Sequence, residues 1–263
     1  MRSEISAASF RLARRLLNRK FRHTAGEFLV EGAQCVGEAV EWGYARRVLA
    51  SDQAAQHHPD LVEGGYERLT ADQVRQLADS VTPQGIFAVC RTPDARLKDV
   101  FTSSARLVVI CAQIRDPGNL GTVIRCADAF GANGVILTPG SVDVTNPKTV
   151  RASVGSIFHL PVVSGTDLGV AVDAAHDRGF TVLGADGAGQ DMTAVLSKLG
   201  PGAKVAWIMG NEAWGLPDDE LGLADRVVRI PMWGRAESLN LSTAAAVCLY
   251  ATASRQHATT SSV

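Results

Sequence analysis

Strand-length runs of apolar residues in the second part of the chain constrain its fold most strongly. Residues 107–111 read LVVIC without a polar interruption, which is typical of a strand buried on both faces of a sheet. Similar runs follow at 135–137, 181–184, 205–209 and 227–230, and helix-length segments lie at 120–130, 167–178 and 238–255. This alternation predicts a mainly parallel α/β sheet flanked by helices, with ligands at the carboxyl ends of the strands.

The first part of the chain shows a second, weaker α/β alternation. We predict strands at 28–30, 48–50 and 86–90 and helices at 33–42 and 71–78. Residues 91–104 carry charge, a proline and a serine pair without a clear hydrophobic period, so we place a linker at 98–104 between two domains.

Composition excludes several classes of protein. The 263 residues include 26 basic and 27 acidic side chains, which rules out a uniformly basic coat but not a local basic patch. The five cysteines form no C-x-x-C pair and the six histidines show no metal-binding spacing, so we expect no metal site and a reduced, cytoplasmic compartment. No apolar run approaches the ~18 residues of a membrane helix.

A basic segment, residues 1–23, precedes the first domain. On a helix, Phe10, Ala13 and Leu17 would form an apolar stripe. Another face would carry Arg11, Arg15, Arg19 and Arg22. Two interpretations stay open for these arginines: a solvated helix face docked on a core, or a contact to RNA phosphates.

Three loops that follow predicted strands carry most of the polar side chains of interest. They read DPGNLGTVIR at 116–125, MGNEAWGL at 209–216 and IPMWGRAESLN at 230–240. Asn119 could cap the helix of the first loop, and Ser238 or Asn240 could cap the last helix. Arg125 is either a surface charge or a ligand clamp. Taken singly, each loop is ordinary.

Common catalytic motifs explain these loops poorly. The chain has no P-loop and no G-x-S-x-G elbow. Residues 184–189 read GADGAG, the reverse of the dinucleotide-binding spacing, so a nicotinamide-dependent oxidoreductase is a distant alternative. We interpret Cys126 as a packed cysteine rather than a nucleophile.

Together, the three loops resemble the motifs of the SpoU family of RNA ribose 2′-O-methyltransferases, within the trefoil-knot (SPOUT) superfamily. A fourth segment, KTVRASVG at 148–155, resembles one that members acting on ribosomal RNA carry between the first two motifs. The likeness covers residues 105–257. It departs from the family at Ala213, where glycine is common, so that loop has to form without a positive φ there.

The resemblance implies a domain organisation. The methyltransferase domain, 105–257, would hold a deep trefoil knot and form a homodimer. Residues 24–97, with FLVEG at 28–32, resemble a small L30e/L7Ae-like domain that binds the RNA substrate. We expect the basic arm at 1–23 to lie before it and a flexible tail at 258–263 to end the chain.

The resemblance also assigns the site residues. S-adenosylmethionine would lie in the knot, held by Met209, Gly210, Asn211, Ile230, Met232, Ser238, Leu239 and Asn240. The residues expected to act on the ribose are Arg125, Asn119, Glu212, Ser238 and Asn240. We expect Arg125 to clamp a phosphate rather than act as a base, since a guanidinium stays protonated above ~pH 12. Arg151, together with the arginines of the arm, is the predicted RNA contact.

These implications predict a methyltransferase that acts on a ribose of RNA. The Arg151 segment and the separate small domain favour 23S ribosomal RNA. Two alternatives stay open: a transfer RNA 2′-O-methyltransferase, and a non-catalytic knotted protein that binds RNA or assists ribosome assembly.

Overall fold

The computed structural model describes residues 2–200 and 202–258, which form two compact units. The first unit runs to Pro93 and also includes Asp143–His159. The second comprises Asp94–Val142 and the chain from Leu160 onward. The predicted flexible tail lies outside the described residues, apart from Ala258.

The first unit is built on a five-stranded mixed sheet with strand order β1-β4-β3-β5-β2. Its strands are β1 (Arg2–Glu4), β2 (Glu27–Glu31), β3 (Ala45–Ala50), β4 (Tyr66–Arg68) and β5 (Ile86–Arg91). Its helices are α1 (Ala7–Arg15), α2 (Arg19–Ala25), α3 (Ala33–Glu41), α4 (Asp52–His57), α5 (Ala71–Leu77) and α8 (Pro147–Ser153). Alternate residues of β5 enter two separate hydrophobic clusters, because successive side chains of a strand point to opposite faces.

The second unit is built on a six-stranded sheet with strand order β11-β9-β10-β6-β7-β8, in which every adjacent pair is parallel. Its strands are β6 (Leu107–Cys111), β7 (Val135–Leu137), β8 (Val162–Ser164), β9 (Phe180–Asp191), β10 (Lys204–Met209) and β11 (Arg226–Arg229). Its helices are α6 (Leu97–Val100), α7 (Pro117–Ala129), α9 (Leu168–His176), α10 (Met192–Lys198), α11 (Asp218–Leu221) and α12 (Leu241–His257). All residues of β6 are buried, which confirms the predicted parallel sheet flanked by helices.

The divisions drawn from sequence differ from those of the structure. The basic segment 1–23 belongs to the first unit rather than standing apart as an arm. Residues 143–159, which the sequence places inside the methyltransferase domain, also belong to the first unit, where Val150 and Phe158 enter a core cluster. The predicted linker, 98–104, carries most of α6, whose Val100 is fully buried.

Arg22 corrects the predicted basic face, because its side chain is buried and fully paired. Its guanidinium donates to the Leu16 and Leu17 carbonyls and to Thr145 Oγ1, and forms an ion pair with Asp143 at 2.6 Å. Burial alone would raise the pKa of Asp143, but hydrogen bonds from Arg22 and Thr145 outweigh it and lower that pKa. Arg22 therefore holds the first unit together and is not available to RNA.

The other arginines of the basic segment are exposed. Arg11 and Arg15 lie on α1 and Arg19 lies on α2, with a turn between the two helices. The guanidinium of Arg15 lies 3.8 Å from the centroid of the Phe21 ring. Among the helices described, none is long and apolar enough to cross a membrane.

Candidate active site

A cavity of about 360 Å³ lies in the second unit, on the side where β10, β11 and part of β9 end. Its lining includes most of the residues expected to hold a cofactor: Met209, Gly210, Asn211, Ile230, Met232, Ser238 and Leu239. Glu212 lines it as well. Asn240 does not line the cavity, although its neighbours Leu239 and Leu241 do. The position agrees with the rule that parallel sheets bind ligands at the carboxyl ends of their strands.

The loop after β10 has a closed and tightly packed backbone. Asn211 and Gly215 exchange two backbone hydrogen bonds, of 2.8 and 3.0 Å. A Cβ on Gly210 would lie 2.5 Å from the Gly215 carbonyl carbon, so only glycine fits there. Gly215 supplies the positive φ of +69°, and Ala213 has none, as the departure from the family motif requires.

Asn211 fixes this loop to the one that follows β6. Its buried side chain donates to the Gln113 carbonyl at 2.7 Å and accepts from the Ala213 N–H at 2.8 Å. Gln113 has a φ of +51°, an uncommon conformation for a side chain other than glycine or asparagine. The sequence analysis did not single out Gln113, because strain of this kind leaves no mark in hydrophobic periodicity.

A bulge in β9 forms a wall of the cavity that the sequence analysis missed. Val227 of β11 pairs with Gly184 of β9, but the next residue, Val228, pairs with Gln190. Residues 185–189 are therefore not paired with β11. Ala185, Asp186 and Gly187 line the cavity. Gly189 allows β9 and β11 to pair again after the bulge, since a Cβ at this position would lie 2.4 Å from the Val228 nitrogen. The cluster of glycines at 184–189 was the available signal.

A chain of hydrogen bonds joins the three loops beside the cavity. Glu212 accepts from the backbone N–H groups of Arg115 and Asp116 and, at 3.2 Å, from Asn119 Nδ2. Asn119 Oδ1 accepts in turn from Asn240 Nδ2 at 3.0 Å. Three residues predicted to act on the ribose are therefore connected, with Asn119 bonded to both of the others, although they come from three separate motifs.

Two helix caps follow from this geometry. Asn240 caps α12, because its Oδ1 accepts from the Ser242 and Thr243 N–H groups, as one of the two predicted alternatives requires. The predicted cap at Asn119 is wrong: α7 begins at Pro117 and its cap is Asp116, which accepts from the Asn119 N–H at 2.7 Å. The Asn119 side chain is therefore left to bond Glu212 and Asn240.

Arg125 and Ser238 are both exposed. Arg125 lies on α7, two turns after its start, and has no hydrogen bond or ion pair with any of the described residues. Ser238 lines the cavity and likewise makes no hydrogen bond within the part of the chain that the structure describes. Both side chains are consequently available to a ligand.

The lining of the cavity suits a cationic ligand with a flat apolar part. Three carboxylates line it, those of Asp186, Glu212 and Glu237. Its apolar side chains are those of Val228, Ile230, Met232, Leu239 and Leu241. The backbone of Gly210 and Gly215 offers further polar groups. Such a mixture of apolar walls and a few polar groups is typical of small-molecule sites.

Arg151 lies in the first unit and forms an ion pair with Asp79. Its side chain stays partly exposed and lines a smaller cavity of about 250 Å³ with Gln34, Thr82 and Gln84. Arg151 therefore belongs to a different unit from the residues expected to bind the cofactor.

The cysteines have no catalytic setting. Burial raises the pKa of the Cys111 thiol, and that of Cys248, to about 12. Burial also raises the pKa of Cys126, although Arg125 opposes it. Among the described residues, no group of three or more histidine, cysteine or carboxylate side chains could hold a metal ion.

Two family profiles match the chain. Residues 106–250 match the SpoU rRNA Methylase family. Residues 9–88 match the MRM3-like substrate binding domain.

Curated relatives match nearly the whole chain. It is 35% identical over 240 residues to the 23S rRNA (guanosine(2553)-2′-O)-methyltransferase RlmP of Bacillus subtilis, covering 90% of this chain and 92% of that one. It is 33% identical to the 23S rRNA (uridine(2479)-2′-O)-methyltransferase of Streptomyces viridochromogenes, covering 89% and 84%.

A solved structure has the same fold. The SpoU methyltransferase AviRb from Streptomyces viridochromogenes, in complex with the cofactor AdoMet, superposes with a TM-score of 0.82 at 33% identity. The superposition covers 96% of this chain and 99% of the other.

Proposed function

Because this chain belongs to the SpoU rRNA Methylase family, we propose that it transfers a methyl group from S-adenosylmethionine to a ribose 2′-hydroxyl of ribosomal RNA. The observation that carries the proposal is the hydrogen-bonded chain Glu212–Asn119–Asn240 beside a cavity fit for the cofactor. The full set of polar side chains also disfavours a non-catalytic RNA-binding protein.

S-adenosylmethionine fits the residues of the cavity. It carries a sulfonium and an ammonium group, which suit the carboxylates of Asp186, Glu212 and Glu237. Its adenine suits the apolar side chains of Ile230, Met232 and Leu239, with backbone groups around Gly210. When bound, it supplies an electrophilic methyl group.

Arg125 and the hydrogen-bonded residues Glu212, Asn119 and Asn240 have different roles in binding the RNA. Arg125 binds a phosphate beside the target ribose and stabilises negative charge on the attacking oxygen, as an exposed guanidinium without a partner among the described residues can. Asn119, Glu212 and Asn240 orient the ribose, and Ser238 donates or accepts a hydrogen bond at the cavity wall. Alignment is the main requirement, because the hydroxyl has to attack the methyl group in line.

Ribosomal RNA of the large subunit is the substrate that the relatives favour. Two curated relatives that cover about nine-tenths of this chain are named for 23S rRNA. A third, which covers 90% of it, is named only as an uncharacterized tRNA/rRNA methyltransferase. A relative named for methylation of C/U34 on tRNA is matched by only 58% of the chain. The N-terminal profile match, to a substrate binding domain, supports an RNA contact through Arg151 and the exposed arginines Arg11, Arg15 and Arg19.

Two further properties belong to the proposal. The protein acts in the cytoplasm, where its five cysteines stay unpaired. It also acts as a homodimer, which would cover exposed apolar side chains of the second unit such as Trp233 and Tyr250.

Methyl transfer to defined RNA tests the function. The purified protein and labelled S-adenosylmethionine are incubated with 23S rRNA, 16S rRNA and transfer RNA from a strain that lacks the protein, and the nucleosides are analysed by mass spectrometry. We expect one 2′-O-methylated nucleoside in 23S rRNA. Label in transfer RNA alone would support the alternative substrate, and binding of RNA without any transfer would support the non-catalytic protein. Sedimentation of the same sample tests the homodimer.

A further inference from the structure

An exposed tryptophan lies directly beside the cofactor cavity, and the proposed mechanism does not use it. Trp214 is 48% exposed, although burying an indole is normally favourable. Its neighbours Ala213 and Gly215 line the cavity, whereas Trp214 does not. The side chain therefore stands at the edge of the site rather than in it.

Arg115 stacks on this tryptophan. The guanidinium carbon of Arg115 lies 4.9 Å from the centroid of the Trp214 ring, within the range of a cation–π interaction. Among the described residues, Arg115 is the one cation that lies over that ring, and no other aromatic ring packs against it. The pair therefore presents to solvent an indole ring with a planar cation over one of its faces.

The backbone under both side chains is held rigidly. Trp214 is at the tip of the loop that the Asn211–Gly215 hydrogen bonds close. The Arg115 N–H donates to Glu212 Oε2 at 3.2 Å, which ties the second loop to the first. The loops at 112–116 and 210–215 are therefore bonded to each other. Trp214 and Arg115 are thus in place before any ligand binds.

We propose that Trp214 and Arg115 form a stacking platform for a nucleobase of the RNA substrate, at or next to the nucleotide whose ribose is methylated. Unpaired bases of RNA stack on aromatic rings and on guanidinium planes. The positive charge of Arg115 favours an RNA segment with its phosphates over an apolar partner. The inference rests on the proposed function, because it assigns a role in holding the same substrate.

The test compares substitutions at the platform. Trp214→Ala is expected to raise the KM for RNA roughly 5- to 150-fold, as loss of one base–aromatic stack does. Trp214→Phe retains a ring and is expected to lose much less. The Kd for S-adenosylmethionine should not change in either variant. Val170→Ala is the control and should leave the KM unchanged, since Val170 is an exposed apolar side chain of α9 in the second unit and does not line the cofactor cavity.

An RNA that lacks one base separates stacking from a structural role. Once the methylated nucleotide is mapped, oligonucleotides with an abasic site at that position or at either neighbour are used as substrates. With one of them, the wild type and Trp214→Ala should have the same KM. A penalty that persists with all three abasic RNAs would overturn the platform.

Other outcomes also separate the two proposals. If the wild type methylates RNA and Trp214→Ala has an unchanged KM, the platform is wrong and the proposed function stands. If the wild type methylates no RNA, the proposed function fails. If Trp214→Ala converts a dimer into monomers, the ring contacts a second copy instead of a base, and the platform is again wrong.

Discussion

Asn240 Nδ2 donates a 3.0 Å hydrogen bond to Asn119 Oδ1, and this bond joins the start of α12 to the first turn of α7. The two residues are separated by 121 positions in the chain. Each also has a second attachment, Asn119 to Glu212 and Asn240 to the N–H groups of α12. The bond therefore holds the ends of two helices in a fixed arrangement beside the cavity.

Substitutions at Asn240 can separate its two tasks. Asn240→Ala removes both the helix cap and the bond to Asn119, and should lower the free energy of unfolding by about 1 kcal/mol. Asn240→Ser keeps a good cap but has no amide to donate, so it should retain stability and still lose methyl transfer. Chemical unfolding and single-turnover rates measure the two effects. Equal rates for Asn240→Ser and wild type would contradict the role in catalysis.

Arg125→Ala should slow methyl transfer roughly 10²- to 10³-fold, because the charge that stabilises the attacking oxygen is removed. The fold should not change, since Arg125 is exposed and makes no hydrogen bond or ion pair with the rest of the described chain. Isothermal titration should give an unchanged Kd for S-adenosylmethionine. Cys126→Ser, one residue away, is the control and should remain active.

Arg125→Lys tests the shape of the cation. A planar guanidinium can bind a phosphate with two hydrogen bonds, whereas an ammonium acts as a point charge. We expect Arg125→Lys to recover only part of the activity. Full recovery would show that a point charge suffices, and near-normal turnover of Arg125→Ala would refute the assignment altogether.

Stability should fall in acid because of Asp143. The folded state lowers the pKa of this carboxyl below its ordinary value of 3.8, so the unfolded chain takes up its proton first. The stabilisation is complete above the unfolded pKa and is lost as pH falls through the folded pKa. Urea unfolding from pH 7 to pH 3 should show a weaker pH dependence in Asp143→Asn than in wild type.

Arg22→Ala should destabilise the protein by about 3–5 kcal/mol, since it leaves the Asp143 carboxylate buried without its partner. Arg19→Ala, in the same helix but exposed, is the control and should have little effect on unfolding. An equal loss of stability in both variants would contradict the buried role of Arg22.

The exposed arginines of the first unit should act on RNA affinity alone. Neutralising Arg11, Arg15 and Arg19 together should weaken RNA binding and flatten the dependence of log Kd on log salt by roughly 0.7 to 0.9 for each RNA phosphate that is no longer neutralised. The Kd for S-adenosylmethionine should stay constant. Neutralising the exposed side chains Arg178, Lys198 and Arg255 of the second unit is the control. An unchanged salt slope would leave the three as solvated surface charges.

Hydrophobic patterning identified most of the long elements and missed several of the short ones. Leu107–Cys111 and the other apolar runs became strands of the parallel sheet, because such runs have few other ways to be buried. The strands β1, β4 and β8 were not predicted, since each has three residues and lacks the uninterrupted apolar run that identified β7, a strand of the same length. The helix α8 was also missed. It has seven residues, and Val150 packs into a core cluster of the first unit, which is distant in sequence.

The sequence predicted those residues of the site that belong to the three motif loops. Met209, Gly210, Asn211, Ile230, Met232, Ser238 and Leu239 line one cavity because their loops follow strands that end at the same edge of the sheet. Asp186 was missed, because it lies in a bulge of β9 that ends where Gly189 closely approaches Val228. The glycines at 184–189 were the one local signal of this close approach, and a glycine does not say which distant segment lies against it.

The sequence by itself determined the class of fold and the residue types of the site, because burial of apolar runs and loop chemistry are local properties of the chain. Tertiary structure alone decided the roles of individual polar side chains. Arg22 and Arg19 belong to the same basic segment, yet one is buried against Asp143 and the other faces solvent. The physical reason is that a charged side chain takes its role from the partners that folding brings to it, and those partners lie far away in the sequence.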